Sequence, residues 1–380
     1  MPLASAADPC MSALTRTFDP AFWASLPFHF WSVVFFAGGC MVGSFLNVCI
    51  HRMPLGMSVV KPPSHCPHCR YSIPWYLNVP LFTWLILRGK CANCRAPISV
   101  RYFLVELLTG VAFLGCWLAA GRASPLLAIA YCIVLAGFIV ATFIDFEHFI
   151  IPDEITIGGM VAGVLCSFAV PKLQGASSAP EALLKSVLGA AVGAGVVYAV
   201  VRIGKVLFGR QHIELPPDTR VVFTETGVVL PNEVIPFEEL FYRKSDVILL
   251  EAKSVELIDR CYKAVTIRLL PEKLFIGEEE VDPETIPQME VVTDKITLPR
   301  EAMGFGDVKF MGAIGAFLGW QATLFSLMAS SILGAAVGVT LIALRKQEWS
   351  SKLPYGPYIA VAATVWIFAG QRLMEWWVGR

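Results

Sequence analysis

The sequence predicts an α-helical polytopic membrane protein with about eight transmembrane helices, a cytoplasmic zinc-binding loop and an inserted, mainly β cytoplasmic domain. Three observations predict it. First, the 380 residues are 56% hydrophobic and only 16% charged, against about 25% charge in a soluble chain, and mean hydropathy is +0.63. Second, the apolar residues gather into long uncharged runs. Third, the charges gather elsewhere. Residues 204–303 hold 12 Lys/Arg and 19 Asp/Glu, a net of −7, while the other 280 hold 18 and 11, a net of +7. This composition argues against an ordinary soluble enzyme and against a disordered chain. Without a basic surplus it gives no support for nucleic-acid binding.

Residues 1–50 form the N-terminal segment and first span: Ala21 to Ile50 has no Lys, Arg, Asp or Glu. This run starts late and lacks a basic n-region, so it does not look like a cleaved signal peptide. Residues 51–101 form a polar loop. Residues 102–203 supply spans two to five: Tyr102 to Ala120, interrupted only by Glu106, then Leu126 to Ile144, Ile155 to Val170 and Ala182 to Val201. The acidic insert occupies 204–303, a reasonable domain size. Residues 304–380 supply the last three spans. Phe310 to Leu344 is uncharged for 35 residues, too long for one crossing of about 20, so it divides near Gly319-Trp320-Gln321. Leu353 to Gln371 is the last. Trp376 and Trp377 suit an interfacial anchor.

Orientation follows from Lys and Arg in the short loops. Arg52, Lys61, Arg70, Arg88, Lys90, Arg95 and Arg101 put the 51–101 loop in the cytoplasm. Alternation places the 145–153 loop, the acidic insert and the Arg345-Lys346-Lys352 loop on the same side. The opposite loops carry only Arg122, Lys172 and Lys185. Both termini then face outward.

Cys66-Pro-His-Cys69 and Cys91-Ala-Asn-Cys94 are two CxxC pairs separated by 21 residues. Four thiolates at this spacing suit a tetrahedral structural Zn²⁺. The alternative is two redox pairs or unrelated thiols, but a cytoplasmic loop disfavours stable disulfides. If one ion holds all four, both ends of Tyr71 to Leu87 lie on one side. That apolar stretch contains Pro74 and Pro80 and is expected to be interfacial or re-entrant. His65 and His68 are bystanders.

Asp145 follows an apolar run, Asp153 follows Ile150-Ile151-Pro152, and Asp307 sits in Gly304-Phe305-Gly306-Asp307-Val308-Lys309. Ionisable groups at a bilayer margin are costly and often functional. The plainer reading makes Asp145 a helix end and Asp307 a helix cap. The glycines beside Asp307 permit close approach of an extended peptide. Topology puts both aspartates on the cytoplasmic side. Two close carboxylates share one proton: one acts as base on water, the other polarises the peptide carbonyl and protonates the leaving amine.

Taken together, these stretches resemble the prepilin peptidases, also called type 4 prepilin leader peptidases. Gly43-Ser44-Phe45-Leu46-Asn47-Val48-Cys49-Ile50-His51-Arg52-Met53-Pro54 is similar to the family's N-terminal motif. The CxxC pairs, followed by Arg101-Tyr102 and Glu106, are similar to its zinc loop. Asp145 through Ile151-Pro152-Asp153 matches its IDxxxxxLPD segment, with Ile for Leu. Glu301 to Lys309 matches GxGD, and Pro354-Tyr355-Gly356-Pro357 matches PFGP, with Tyr for Phe. The resemblance implies a membrane aspartic protease of the GxGD type in the bacterial inner membrane. Asp145 and Asp307 would be catalytic, with Asp153, Gly304, Gly306 and Lys309 supporting. Its substrates would be type IV prepilins or pseudopilins, cut at the cytoplasmic face. The cysteine-bearing members also imply N-methylation of the new N-terminus from S-adenosylmethionine, whose site the sequence does not place. A peptidase alone, with zinc as a structural clip, stays open, as does a non-enzymatic interaction or transport protein with a zinc module.

The departure from this family is the 204–303 insert. Segments 220–224, 246–250, 265–270 and 289–292 alternate like strands, and 237–243 reads as a short helix. Pro216-Pro217, Gly227, Pro231-Asn232 and Asp282-Pro283 supply turns. Glu278-Glu279-Glu280 lacks a cation-loop pattern and reads as solvated surface. Gly189/Gly193 and Gly334/Gly338 have the spacing of close helix packing within the chain.

Overall fold

The computed structural model describes residues 27–378, apart from 225, 232–233, 242–245, 258–259, 287, 300–303 and 345–352. Glu301-Ala302-Met303 and the Arg345-Lys346-Lys352 loop therefore lie outside the described residues, as do the side chains of Trp376 and Trp377. The chain forms two compact units. One holds residues up to 197 together with 305 onward; the other holds 198–304.

The first unit is helical. Its elements are α1 (Phe28–Arg52), a short α2 (Phe82–Ile86), α3 (Val100–Cys116), α4 (Pro125–His148), α5 (Asp153–Ala169), α6 (Ala179–Phe208, whose residues from 198 onward count with the second unit), α8 (Phe305–Ala343) and α9 (Gly356–Val378). Among the described residues, five helices are long and apolar enough to cross a membrane: Phe28–Arg52, Val100–Gly121, Pro125–His148, Ala179–Lys205 and Phe305–Ala343. α5 has 17 residues and the apolar part of α9, Gly356–Gly370, is also shorter. Tyr71 to Leu87 forms only a 3₁₀ turn (Trp75–Leu77) and the five-residue α2. Trp75, Phe82 and Ile86 there are exposed.

Unbroken, the 39 residues of α8 would run about 58 Å, nearly twice a hydrocarbon core of about 30 Å. The helix breaks at Gly319, whose φ is 81°, where the sequence expects the turn. A break strands the last carbonyls of the first half, and in a bilayer no water satisfies them. Here Ser186 Oγ donates to the Ala316 carbonyl at 2.7 Å, Ser167 Oγ to the same oxygen at 3.2 Å, and Gln174 Nε2 to the Ala316 and Phe317 carbonyls at 2.8 and 3.1 Å. Gln174→Leu should therefore lower stability by about 1–3 kcal/mol, read as a lower thermal midpoint in detergent. An unchanged midpoint would show that the break tolerates an unsatisfied carbonyl.

α6 lies hard against α8 just before that break. A Cβ on Gly189 would stand 2.2 Å from the Gly315 carbonyl oxygen, and one on Gly193 2.3 Å from that of Met311. The Gly189/Gly193 spacing thus serves packing within the chain. Gly334 and Gly338 are looser, with nearest neighbours Tyr358 and Leu353 at 3.5 and 3.2 Å.

The second unit is a β domain. Its strands are β1 (Arg210–Thr224), β2 (Gly227–Val229), β3 (Val234–Pro236), β4 (Ile248–Glu256), β5 (Cys261–Leu270), β6 (Lys273–Ile276), β7 (Glu279–Val281) and β8 (Gln288–Pro299), with a short helix α7 (Phe237–Leu240) after β3. They form one antiparallel sheet in the order β3-β2-β1-β8-β4-β5-β6-β7. The four segments expected as strands fall on β1, β4, β5 and β8. Val221, Phe223, Leu250, Ile267, Val291 and Ile296 lie in its core. Pro216-Pro217 is not a turn between strands. It lies inside β1, where the register with β8 shifts between Glu214 and Thr219, a bulge that accommodates residues unable to donate to the ladder. Glu279 pairs with Arg260 and Glu280 with Lys273 on exposed surface, in keeping with a solvated acidic face.

Candidate active site

Asp145 lies in the last turn of α4. The helix stops at Phe149, a left-handed residue whose N–H bonds the Asp145 carbonyl. Ile150-Ile151-Pro152 then leads into α5, which opens on Asp153. Asp145 is only 5% exposed. Its Oδ2 accepts a 2.9 Å hydrogen bond from the Gly356 N–H, the first residue of α9. A helix N-terminus carries unpaired N–H groups and the positive end of the helix dipole, so it favours a carboxylate there. Asp307 lies in the first turn of α8 and is 8% exposed.

Ile151 brings the three motifs together. Gly306 sits against it: a Cβ there would lie 3.5 Å from Ile151 Cβ and 3.6 Å from its backbone. On the other side, a Cβ on Gly356 would lie 3.0 Å from Ile151 Cδ1 and 2.8 Å from Asp145 Oδ2. The Phe138 and Phe310 rings meet edge to face at 5.6 Å, joining α4 and α8 two turns and one turn from their aspartates. Lys309 Nζ pairs with Asp153 Oδ1 at 2.6 Å and lies over the Phe305 ring, tying the start of α8 to the start of α5. Gly304 is exposed, immediately ahead of α8. The Gly356 donor was missed in the sequence reading; PYGP marked the segment, but not what its backbone holds.

The 51–101 loop brings Cys66, Cys69, Cys91 and Cys94 together, all four sulfurs within 4.8 Å of one another. Cys66 to Cys94 is 3.8 Å and Cys69 to Cys91 is 4.0 Å. Tetrahedral Zn–S bonds of about 2.3 Å require S···S separations of about 3.8 Å, so the donor set fits zinc. The two halves repeat one design. Each CxxC ends in a left-handed arginine, Arg70 or Arg95. Each arginine N–H returns to the first cysteine's carbonyl, and each first cysteine's N–H bonds the carbonyl of Tyr71 or Ala96. Hydrogen bonds from the Tyr71 backbone, then the Asn93 side chain, lower the Cys69 thiol, and those from the Cys94 and Asn93 backbones lower Cys91, whereas, against a hydrogen bond from the Ala96 backbone, burial and the neighbouring sulfurs push Cys94 up to about 11; a metal needs all four as thiolates. His65 and His68 are exposed and outside this cluster.

Glu106 is a second feature that sequence reasoning underused, although it is the one charge in its apolar run. It is buried in α3, and its Oε2 accepts the Leu81 N–H at 2.8 Å.

The description "Bacterial Peptidase A24 N-terminal domain" matches residues 37–120. "Type IV leader peptidase family" matches 132–213 and 286–339, passing over most of the β domain. A protein of Aeromonas hydrophila named prepilin leader peptidase/N-methyltransferase is 28% identical over 93% of this chain and 95% of its own length. One of the same name from Myxococcus xanthus is 42% identical over 45% of this chain, but that match spans only 49% of the relative. Another from Klebsiella pneumoniae is 35% identical over 51% of this chain and 83% of the relative. No solved structure matches the chain. With both family models falling on the helices and loop that carry the two aspartates and four cysteines, and with a 35% identical relative matched over most of its length, the chain is an enzyme of the type IV leader peptidase family.

Proposed function

We propose that Asp145 and Asp307 are the catalytic pair of an endopeptidase that removes the leader from type IV prepilins or pseudopilins at the cytoplasmic face of the bacterial inner membrane. The observation that carries this is the packing of both aspartate-bearing segments on Ile151, with each carboxylate buried. One carboxylate takes a proton from water as it attacks the scissile carbonyl. The other holds the shared proton, polarises that carbonyl and passes the proton to the departing amine. The Gly356 N–H orients Asp145, and the Asp153–Lys309 pair, with Gly304 and Gly306, sets the approach of the α8 start to the peptide.

In this reading the helices make eight crossings of the lipid bilayer, with α8 counting twice across Gly319 and both termini outside. The domain limits are 1–50, 51–101, 102–203, 204–303 and 304–380. Cys66, Cys69, Cys91 and Cys94 hold one structural Zn²⁺ in the cytoplasmic loop. The new N-terminus is then methylated from S-adenosylmethionine, a second activity supported by the names of the relatives. The test incubates purified protein with a prepilin-like substrate and S-adenosylmethionine and reads the product N-terminus by mass spectrometry. An intact leader sinks the peptidase. A cleaved but unmethylated product leaves a peptidase with a zinc clip. Bound metal should be near one zinc per chain, and Cys66→Ser with Cys91→Ser should remove it. Zinc that survives both substitutions overturns the four-sulfur site.

A further inference from the structure

Between α1 and the segment that includes α2 runs an apolar groove of about 750 Å³. Its α1 wall extends from Val33 to Val48, about 22 Å of helix. Trp75 and Phe82, both exposed, form part of the facing wall. The groove lining is tied to one buried acid. Leu81 donates its N–H to Glu106 at 2.8 Å from a backbone of positive φ (62°), and beside the lining residue Ser44 the helix α1 runs so close that a Cβ on Gly43 would stand 2.8 Å from Glu106 Cα. One turn along α1 from Ser44, buried Asn47 donates to the Tyr102 carbonyl, and its Oδ1 has no partner among the described residues. Ser64, two residues before Cys66, also lines the groove, so the cysteine knuckle holds one of its walls.

A long apolar trough with a carboxylate behind it suits an apolar helix that ends in a cationic group. We propose that this groove receives the cleaved product, with its new α-ammonium at Glu106, and that Glu106 is the base for methyl transfer. This rests on the peptidase reading, which supplies such an N-terminus. Glu106 takes one ammonium proton. The freed nitrogen lone pair forms the bond to the methyl carbon of a sulfonium donor of the S-adenosylmethionine class. The C–S electron pair stays with sulfur, and the product is a secondary ammonium. The groove and the cleavage site are near neighbours. Val105, preceding Glu106, and Ile144, preceding Asp145, pack in one cluster with Leu46 and Ile50 of α1.

The test supplies the product already cut, as a synthetic apolar peptide of about twenty residues with either a free or an acetylated α-amine. The free amine should bind full-length wild-type protein about tenfold more tightly than the acetylated form. Glu106→Gln should erase that preference while zinc stays bound, and Ala37→Trp, which fills the groove, should weaken both peptides. With S-adenosylmethionine present, Glu106→Gln should methylate the free peptide about a hundredfold more slowly. Equal binding of the two peptides by wild type overturns the proposal. So does wild-type methylation by Glu106→Gln, or no methylation of the cut peptide by wild type. None of these results touches leader cleavage, which stands or falls on the uncut substrate.

Discussion

Asp145→Asn and Asp307→Asn should each reduce leader cleavage by about a thousandfold or more, within the range attributed to a positioned acid or base. Asparagine keeps the shape and one acceptor oxygen but cannot exchange a proton. The two carboxylates are proposed to act as one proton-sharing unit, so the double variant should be little worse than either single one. Near-additive losses would mean two independent roles. Cleavage at the wild-type rate by either single variant would remove that aspartate from the chemistry. The measurement is single-turnover cleavage of a prepilin in detergent or liposomes, with zinc content recorded to show that each variant is folded.

Gly356→Ala should lower kcat by about a hundredfold, the scale expected when a reacting group is displaced by about 1 Å, with KM near the wild-type value. A methyl group there would stand 2.8 Å from Asp145 Oδ2 and 3.0 Å from Ile151 Cδ1. Neither neighbour can yield easily: both are buried, and one is the acceptor that the same residue's N–H holds. The carboxylate, Ile151 or the start of α9 must shift. A kcat close to wild type would show that Asp145 does not depend on this clamp. A rise in KM alone would place Gly356 in substrate binding.

What could be read from the sequence was whatever is written in local spacing. The CxxC pairs fix their sulfurs through the turns that each pair builds for itself. Asp145 and Asp307 stand out because charge interrupts or borders apolar runs. The long uncharged stretch announced the division at Gly319, since one crossing could not use 35 residues. What could not be read depends on backbone groups brought together from far apart. Gly356 serves Asp145 through an N–H that every residue but proline carries, across 211 positions. Gln174 and Ser186 show no motif; their purpose appears only once the break exposes the Ala316 and Phe317 carbonyls. The three-residue strands β2, β3 and β7 are too short to show an alternating pattern. Pro216-Pro217 misled because proline marks both turns and bulges.

The sheet also bears on how the β domain came to be carried within this chain. Its first and last strands are direct neighbours, with Arg210 opposite Pro299. The polypeptide thus enters and leaves the domain at one doorway, about 5 Å wide between paired strands. Such a module behaves as a cassette: bridging the doorway needs only a short linker, and loop-closure entropy varies weakly with the length between the ends. Gaining or losing the cassette is therefore a modest topological event for the helical enzyme, which agrees with a family match that stops at residue 213 and resumes at 286.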